Sequence, residues 1–280
     1  MLSKADAADF PGRFREIIAD PLNLLIERVP LAGVIEGGEV YLHNGNRVPV
    51  AGPTAYYGSF SGILVLNRGV HEPLEEYVFQ EVLRAMPKAQ IMLELGAYWG
   101  HYSMWLKKQI PAATVILVEP DANNLAAGRL NFKRNGFDGE FIQAAVAPGQ
   151  FEVDAFLKAR GIGHLDILHC DIQGYEVDML AGGCQALGNG HVDYVLISTH
   201  SQDIHTRIIR GLTDFGFRVE VESDFANETT SYDGFVFASR QGIAPVFTNL
   251  KPLGRIGIAR SRPQELLDSL QAVRRASRTA

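Results

Sequence analysis

The stretch Ile91-Met92-Leu93-Glu94-Leu95-Gly96-Ala97-Tyr98-Trp99-Gly100 decides the fold. It opens as an apolar run, breaks at a glycine and meets a second glycine four residues on. A run of this kind, without polar alternation, reads as a strand buried on both faces, as parallel sheets require. Residues 101–109 then take up a helical pattern. A glycine turn between strand and helix lets backbone approach a ligand, and the first N–H groups of the helix are open to an anion.

The same alternation continues downstream. Residues 114–118 form a second strand, followed by a helix over 122–135. A third strand spans 139–146 and a fourth 165–170, with a helix over 175–181. A fifth spans 192–198, with a helix over 204–215. Residues 217–222 and 234–238 close the sheet as an antiparallel pair. Strands alternating with helices mean βαβ units and a mostly parallel sheet covered on both faces. The runs 91–95, 115–118 and 167–168 are expected to be neighbouring buried strands, with the first central. Upstream, Phe10, Phe14, Ile17, Ile18, Leu22 and Leu24 have helical spacing, interrupted at Asp20-Pro21. Gly37-Gly38, Asn44-Gly45-Asn46 and Gly52-Pro53 punctuate residues 31–57 as a hairpin-rich region. Residues 72–86 read as an amphipathic helix with Pro73 near its start. The domain reading is a helix and hairpin extension over 1–70, an α/β domain over 71–245, and a basic tail over 246–280. With Arg274-Arg275 and Arg278, that tail is expected to be a frayed, solvated helix.

Composition narrows the class. Of 280 residues, 46% are hydrophobic and 21% charged, enough for a full core, and the net charge of -6 lacks the basic footprint of a nucleic-acid binder. Two cysteines, Cys170 and Cys184, are too few for a disulfide framework. They read as core thiols in a reducing compartment, with the cytoplasm the default location. The first twenty residues are charged throughout and lack the apolar core of a signal peptide. No apolar run reaches the roughly 18 residues of a membrane span.

The second strand ends in Val118-Glu119-Pro120-Asp121, and Glu119 stands 23 residues after Gly96. An acid at this tip can accept both hydroxyls of a ribose. The turn is neither the G-x-G-x-x-G of a dinucleotide fold nor a P-loop. A nucleoside with an anionic arm fits both features, and S-adenosylmethionine (SAM) is such a molecule, with its methionine carboxylate at the 96–100 turn and its ribose on Glu119. Gln143-Ala144-Ala145-Val146 leaves room for an adenine at the third strand tip.

These residues resemble a known family. Glu72-Pro73, Leu93-Glu94-Leu95-Gly96-Ala97 with Gly100, Val118-Glu119-Pro120, Val153-Asp154, and Asp166-Ile167-Leu168 with Asp171-Ile172-Gln173-Gly174-Tyr175-Glu176 are similar to the FkbM-type methyltransferases over about residues 70 to 240. The most specific piece begins 75 residues after Gly96. The resemblance implies a Rossmann-like class I methyltransferase fold that transfers methyl from SAM to an oxygen of a sugar, glycan or natural product. The cofactor set is then Glu94, Gly96, Ala97, Gly100, Tyr102, Ser103, Glu119, Pro120, Asp121, Ala144 and Asp171. Glu94 stands where the family usually has Asp, Tyr98 where Asn is common, and His169 where Lys is usual. Ser198-Thr199-His200 stands where an acid is commoner.

Chemistry belongs at the carboxyl ends of the strands. Asp171 ends the fourth, His200 the fifth, and His205 follows near the next helix. Methyl transfer is an in-line displacement, helped about 10²–10⁴-fold when a base takes the acceptor proton. His200 is the favoured base, His205 the alternative, and Asp171 an orienter or metal ligand. Glu176 reads as a helix-dipole acid, and His169 as packed between sheet and helix. Asp171, Glu176, His200 and Asp233 offer oxygen and nitrogen ligands without a recognisable spacing, so magnesium is the less favoured reading and no metal ligands are assigned. The expected partner is a small-molecule or glycan acceptor. Residues 1–70 are expected to shape its pocket or a contact between copies of the chain. Two readings compete: a catalytically silent SAM-binding module serving as a partner subunit, and a nicotinamide dehydrogenase, disfavoured by the missing dinucleotide fingerprint.

Overall fold

The computed structural model describes residues 10–88, 90–248 and 250–277. Most of the charged start of the chain, and Arg278, lie outside them.

The amino-terminal part begins with α1 (Phe10–Ala19), which ends where Asp20 caps a short 3₁₀ turn at Pro21–Leu24. Strands β1 (Ile35–Glu36), β2 (Glu39–Tyr41) and β3 (Arg47–Pro49) form an antiparallel meander. The glycine-punctuated region thus pairs as its turn signals suggested. Helices α2 (Gly62–Leu66) and α3 (Pro73–Ala85) follow. Helix α3 departs from the amphipathic expectation, because Glu75, Glu76, Gln80 and Glu81 are buried along with its apolar side. Its polar groups meet other chain segments instead of water: Glu27 N–H donates to Gln80 Oε1 (2.8 Å) and Ser277 Oγ–H to Glu81 Oε2 (2.6 Å).

The α/β part runs β4 (Ile91–Leu95), α4 (His101–Gln109), β5 (Thr114–Val118), α5 (Ala122–Asn135), β6 (Glu140–Ile142), α6 (Val153–Arg160), β7 (Leu165–Cys170), α7 (Glu176–Gly182), α8 (Cys184–Gly188), β8 (Val192–Thr199), α9 (Gln202–Asp214), β9 (Phe217–Ser223) and β10 (Gly234–Arg240). The seven strands lie in the order β6-β5-β4-β7-β8-β10-β9, with β10 antiparallel to both neighbours. This is a Rossmann-like class I methyltransferase topology. Strand β4 is central and buried between β5 and β7.

Several boundaries were misjudged. The third strand is three residues at the sheet edge, and 144–146 form a loop, because only β5 is there to hold it. Helices α6 and α8 were not anticipated as elements. Cys170 is buried as expected, but Cys184 is exposed at the start of α8. The tail is docked rather than frayed: in α11 (Pro263–Ala276), preceded by α10 (Arg255–Arg260), Val273 and Ala276 are buried. Thr248 N–H also donates to Ala276 O (2.9 Å). One apolar core joins Ile17 and Val40 from the amino-terminal part, Met92 and Phe237 from the sheet, and Val273 from the tail. The second core fills the other sheet face under α6, α7 and α9. Among the described residues no helix is long and apolar enough to cross a membrane.

Candidate functional site

A cavity of about 540 Å³ opens at the carboxyl ends of β4, β5 and β7. Parallel register places its walls. Leu95 pairs with Cys170 and with Val118, so Gly96, Asp171 and Glu119 leave their strands side by side. Asp171 N–H donates to Leu95 O (2.9 Å), bringing the two backbones together. Gly96 is required there: at φ +74°, a Cβ would sit 1.6 Å from Asp171 O. Glycine is the residue that tolerates both the conformation and the approach.

Glu119 braces the turn from below. Its Oε2 accepts from Tyr98 N–H (3.0 Å) and its Oε1 from Asp121 N–H (3.0 Å), with Asn124 Nδ2 at 3.3 Å. Tyr98, Gln173 and Tyr57 all take positive φ although none is glycine. Such strained backbone gathers at ligand sites, and all three residues line this cavity. Glu94, on β4, accepts from Ser103 N–H (3.1 Å). Burial pushes its carboxyl up to about 8, so it is largely protonated at neutral pH.

The expected cofactor residues Glu94, Gly96, Ala97, Tyr102, Glu119, Pro120, Asp121, Ala144 and Asp171 line the cavity. Gly100 and Ser103 do not. Gly100 turns the chain into α4 with its Cα against Phe132 and Leu117, and Ser103 supports Glu94 from behind. Tyr56, Tyr57, His71, His101 and Asn124 also line it and were missed. Tyr56, Tyr57 and His71 come from the amino-terminal part, and no local spacing ties them to the strand tips; His101, the first residue of α4, directly follows Gly100. Glu72, quoted only for its resemblance, is in the wall and accepts a hydrogen bond from Tyr102 O–H (2.8 Å). His169 is buried, as expected, but faces the cavity with its ring centroid 4.2 Å from that of Tyr102. Burial holds its imidazole down to about 4, uncharged.

A second, smaller cavity of about 200 Å³ shares Tyr56, Tyr57, His71, Glu72, Asp171 and Gln173 with the first and adds Arg13, Tyr232 and Asp233. At its edge lies a cluster of acids around one histidine. Antiparallel pairing of Thr199 with Gly234 sets His200 beside Asp233. His200 Nδ1 is 2.6 Å from Glu176 Oε1, and its Nε2 is 3.2 Å from Asp171 Oδ1 and 3.6 Å from Asp233 Oδ1. Burial opposes a charge on the ring, but the Asp171 and Glu176 hydrogen bonds outweigh it and push His200 up to about 11. Burial likewise works against Asp171, yet the His200 hydrogen bond and charge hold it below its ordinary value. Asp233 goes the other way: lost hydration raises it to about 7, only partly offset by His200.

His200, expected as the base, stands among acids that favour its protonated form, and it lines neither cavity. The alternative, His205, lies elsewhere. It is buried in α9 with Nδ1 2.9 Å from Thr199 Oγ1 and Nε2 3.4 Å from Glu222 Oε1, away from both cavities. Glu176 is more than a helix-dipole acid, being fully buried against His200. Asp171, His200, Glu176 and Asp233 therefore do converge, as an ion cluster.

The sequence matches the model of the methyltransferase FkbM domain over residues 72–219, just over half of its length. No curated protein matches the chain. Among solved structures, it is similar to the N-terminal domain of EvdMO1 with SAH bound, at 17% identity over 58% of this chain and 79% of that one, with a TM-score of 0.41. It is also similar to the O-methyltransferase from Bacillus cereus in complex with SAH, at 15% identity over 59% and 79%, with a TM-score of 0.43.

Proposed function

Because the chain belongs to the FkbM methyltransferase family and is a SAM-dependent methyltransferase, we propose that its acceptor is a hydroxyl of a small polar molecule, such as a sugar, glycan or secondary metabolite. The smaller cavity carries this reading. It shares a wall with the larger cavity and is lined by Tyr57, Glu72, Asp171, Gln173, Tyr232 and Asp233. Those carboxylates, hydroxyls and an amide suit a molecule rich in hydroxyl groups.

SAM supplies a methyl group on a sulfonium, whose bonding pair returns to sulfur as the group leaves. The chain's residues hold it and prepare the acceptor. Glu94 receives the methionine ammonium, the 96–100 turn faces the carboxylate, and Glu119 takes the ribose. Gly96 fits that role as a wall of the cavity, and its missing Cβ lets the Asp171 backbone close against the turn. Asp233 takes the acceptor proton as its oxygen attacks, because a base works best with a pKa near the operating pH and Asp233 sits at about 7. Asp171, held ionised, accepts a second hydrogen bond from the acceptor. His200 acts through these two acids as a positioning residue. Fixing oxygen, carbon and sulfur in line supplies much of the remaining acceleration.

The test is SAH release over a panel of sugars, glycosides and phenols set beside matched amines. Turnover confined to hydroxyl acceptors is expected. Turnover on amines alone, or SAM binding without turnover on any acceptor, overturns the proposal.

A further inference from the structure

We propose that His43, Glu76 and His101 bind a zinc ion in a buried site beside the cofactor cavity. The three side chains come from separate parts of the chain: the turn between β2 and β3, the first turn of α3, and the first residue of α4. One ligand atom from each lies within 4.8 Å of the others. They are 1%, 0% and 2% exposed. Buried polar groups are as a rule hydrogen-bonded. Here neither ring nitrogen of His101, nor Nδ1 of His43, has a hydrogen-bond partner among the described residues. His43 Nε2 is 2.9 Å from Glu76 Oε2 as an ion pair, and His101 Nε2 is 3.9 Å from Glu76 Oε1. Ligand atoms about 2.0–2.2 Å from a tetrahedral zinc stand roughly 3.4 Å apart, a spacing inside the 4.8 Å that groups these three side chains.

The donor set selects the metal. Two imidazoles and one carboxylate suit zinc, whereas magnesium and calcium take oxygen ligands. The carboxylate is also held in place, as metal-ligating acids usually are. Glu76 Oε1 accepts from the backbone N–H of His71 (2.8 Å) and of Glu72 (3.1 Å), and His71 Nδ1 lies 2.7 Å from it. That leaves Oε2 toward His43. His101 directly follows Gly100, so the ion ties the glycine turn to the meander and to α3. A second group, His164, Asp166 and Asp193, is partly exposed, and its acids already accept from Ile91 N–H and Arg240. It serves as the control.

The experiment uses the full chain without an affinity tag, stripped with a chelator and titrated with zinc chloride by calorimetry, and with cobalt by visible absorption. One equivalent of zinc is expected, with a tetrahedral cobalt spectrum and a melting temperature that falls on chelation and returns with zinc. His43→Gln and His101→Gln are each expected to weaken zinc at least 100-fold, His71→Gln about 10–100-fold, and His164→Ala not at all. X-ray absorption on the zinc-loaded wild-type chain needs no variant and should count two imidazole nitrogens at about 2.0 Å. No zinc binding by the folded wild-type chain, a metal shell of oxygens alone, or a loss that follows His164 overturns the proposal.

Discussion

The two halves of the site are built in different ways. The cofactor half lies on consecutive strand tips, with Glu94, Gly96 and Glu119 within 25 residues of one another and in register across β4 and β5. The acceptor half gathers Arg13, Tyr57, Glu72, Asp171 and Asp233 from four distant segments, with His200 and Glu176 beneath them. A rigid parallel ladder presents the first. The second depends on how the amino-terminal part and the loop before β10 settle onto that ladder. On the proposed assignment, the strand-tip residues bind the cofactor and Asp233 serves the acceptor, and variants of each test whether the two are separable.

The largest effect is expected in the acceptor half. Asp233→Asn should lower kcat about 10²–10⁴-fold while SAM affinity, measured by calorimetry, stays within a few-fold. In the wild type, kcat should rise with pH through about 7 as Asp233 loses its proton, and the variant should lack that limb. A parallel loss of SAM affinity would show that the halves are not separable.

Gly96→Ala attacks the seam between them. Its Cβ would meet Asp171 O at 1.6 Å, and a clash with backbone in a packed sheet costs roughly 3 kcal/mol or more. A fall in denaturant midpoint together with lost SAM binding is the expected result. A variant of normal stability would show that the crossing has more room than the structure gives it.

Glu119→Ala sharpens the cofactor half. It removes a charge-assisted pair with the ribose, about 1.5–3 kcal/mol, or roughly 10- to 150-fold in SAM affinity. It also frees Tyr98 N–H, which now donates to that carboxylate. Unchanged affinity would remove Glu119 from the ribose site.

A smaller signal comes from Glu94. Its pKa of about 8 keeps it mostly protonated at pH 7 in the free chain. The arriving ammonium favours the ionised form and lowers that pKa, so binding should release somewhat less than one proton. Calorimetry in buffers of different ionisation enthalpy reads this directly, and Glu94→Gln should abolish it. The smallest effect is expected from His205→Ala, which should change kcat less than about threefold because the ring lies away from both cavities. Its cost should appear in stability, since the ring is buried against Thr199. A hundredfold loss in kcat with normal folding would restore His205 as a base.

The fold was legible because its signals are local. Apolar runs without alternation marked β4, β5 and β7, and glycine spacing marked the turn. A parallel ladder then leaves little freedom in where those tips go. Edges were less legible, as at β6, because a short strand with one neighbour carries little pattern. The tail misled because Val273 and Ala276 are sparse apolar positions in a basic stretch, and only a partner surface reveals what they bury.

By itself the sequence determined the strand tips at Glu94, Gly96 and Glu119, since each sits at a fixed offset from a strand end and the strands have one register. Only the tertiary structure decided the acceptor half and the His43, Glu76 and His101 cluster. There the chemistry depends on which charges share a space with little water. His200 looked like a base because histidine ordinarily titrates near neutrality. Two carboxylates brought within 3.2 Å favour its charged form. A third, Asp233, is raised by lost hydration to about 7, and on the proposed mechanism it takes over the titration expected of the histidine. Proximity of this kind arises between residues far apart in the chain, and no spacing along the sequence encodes it.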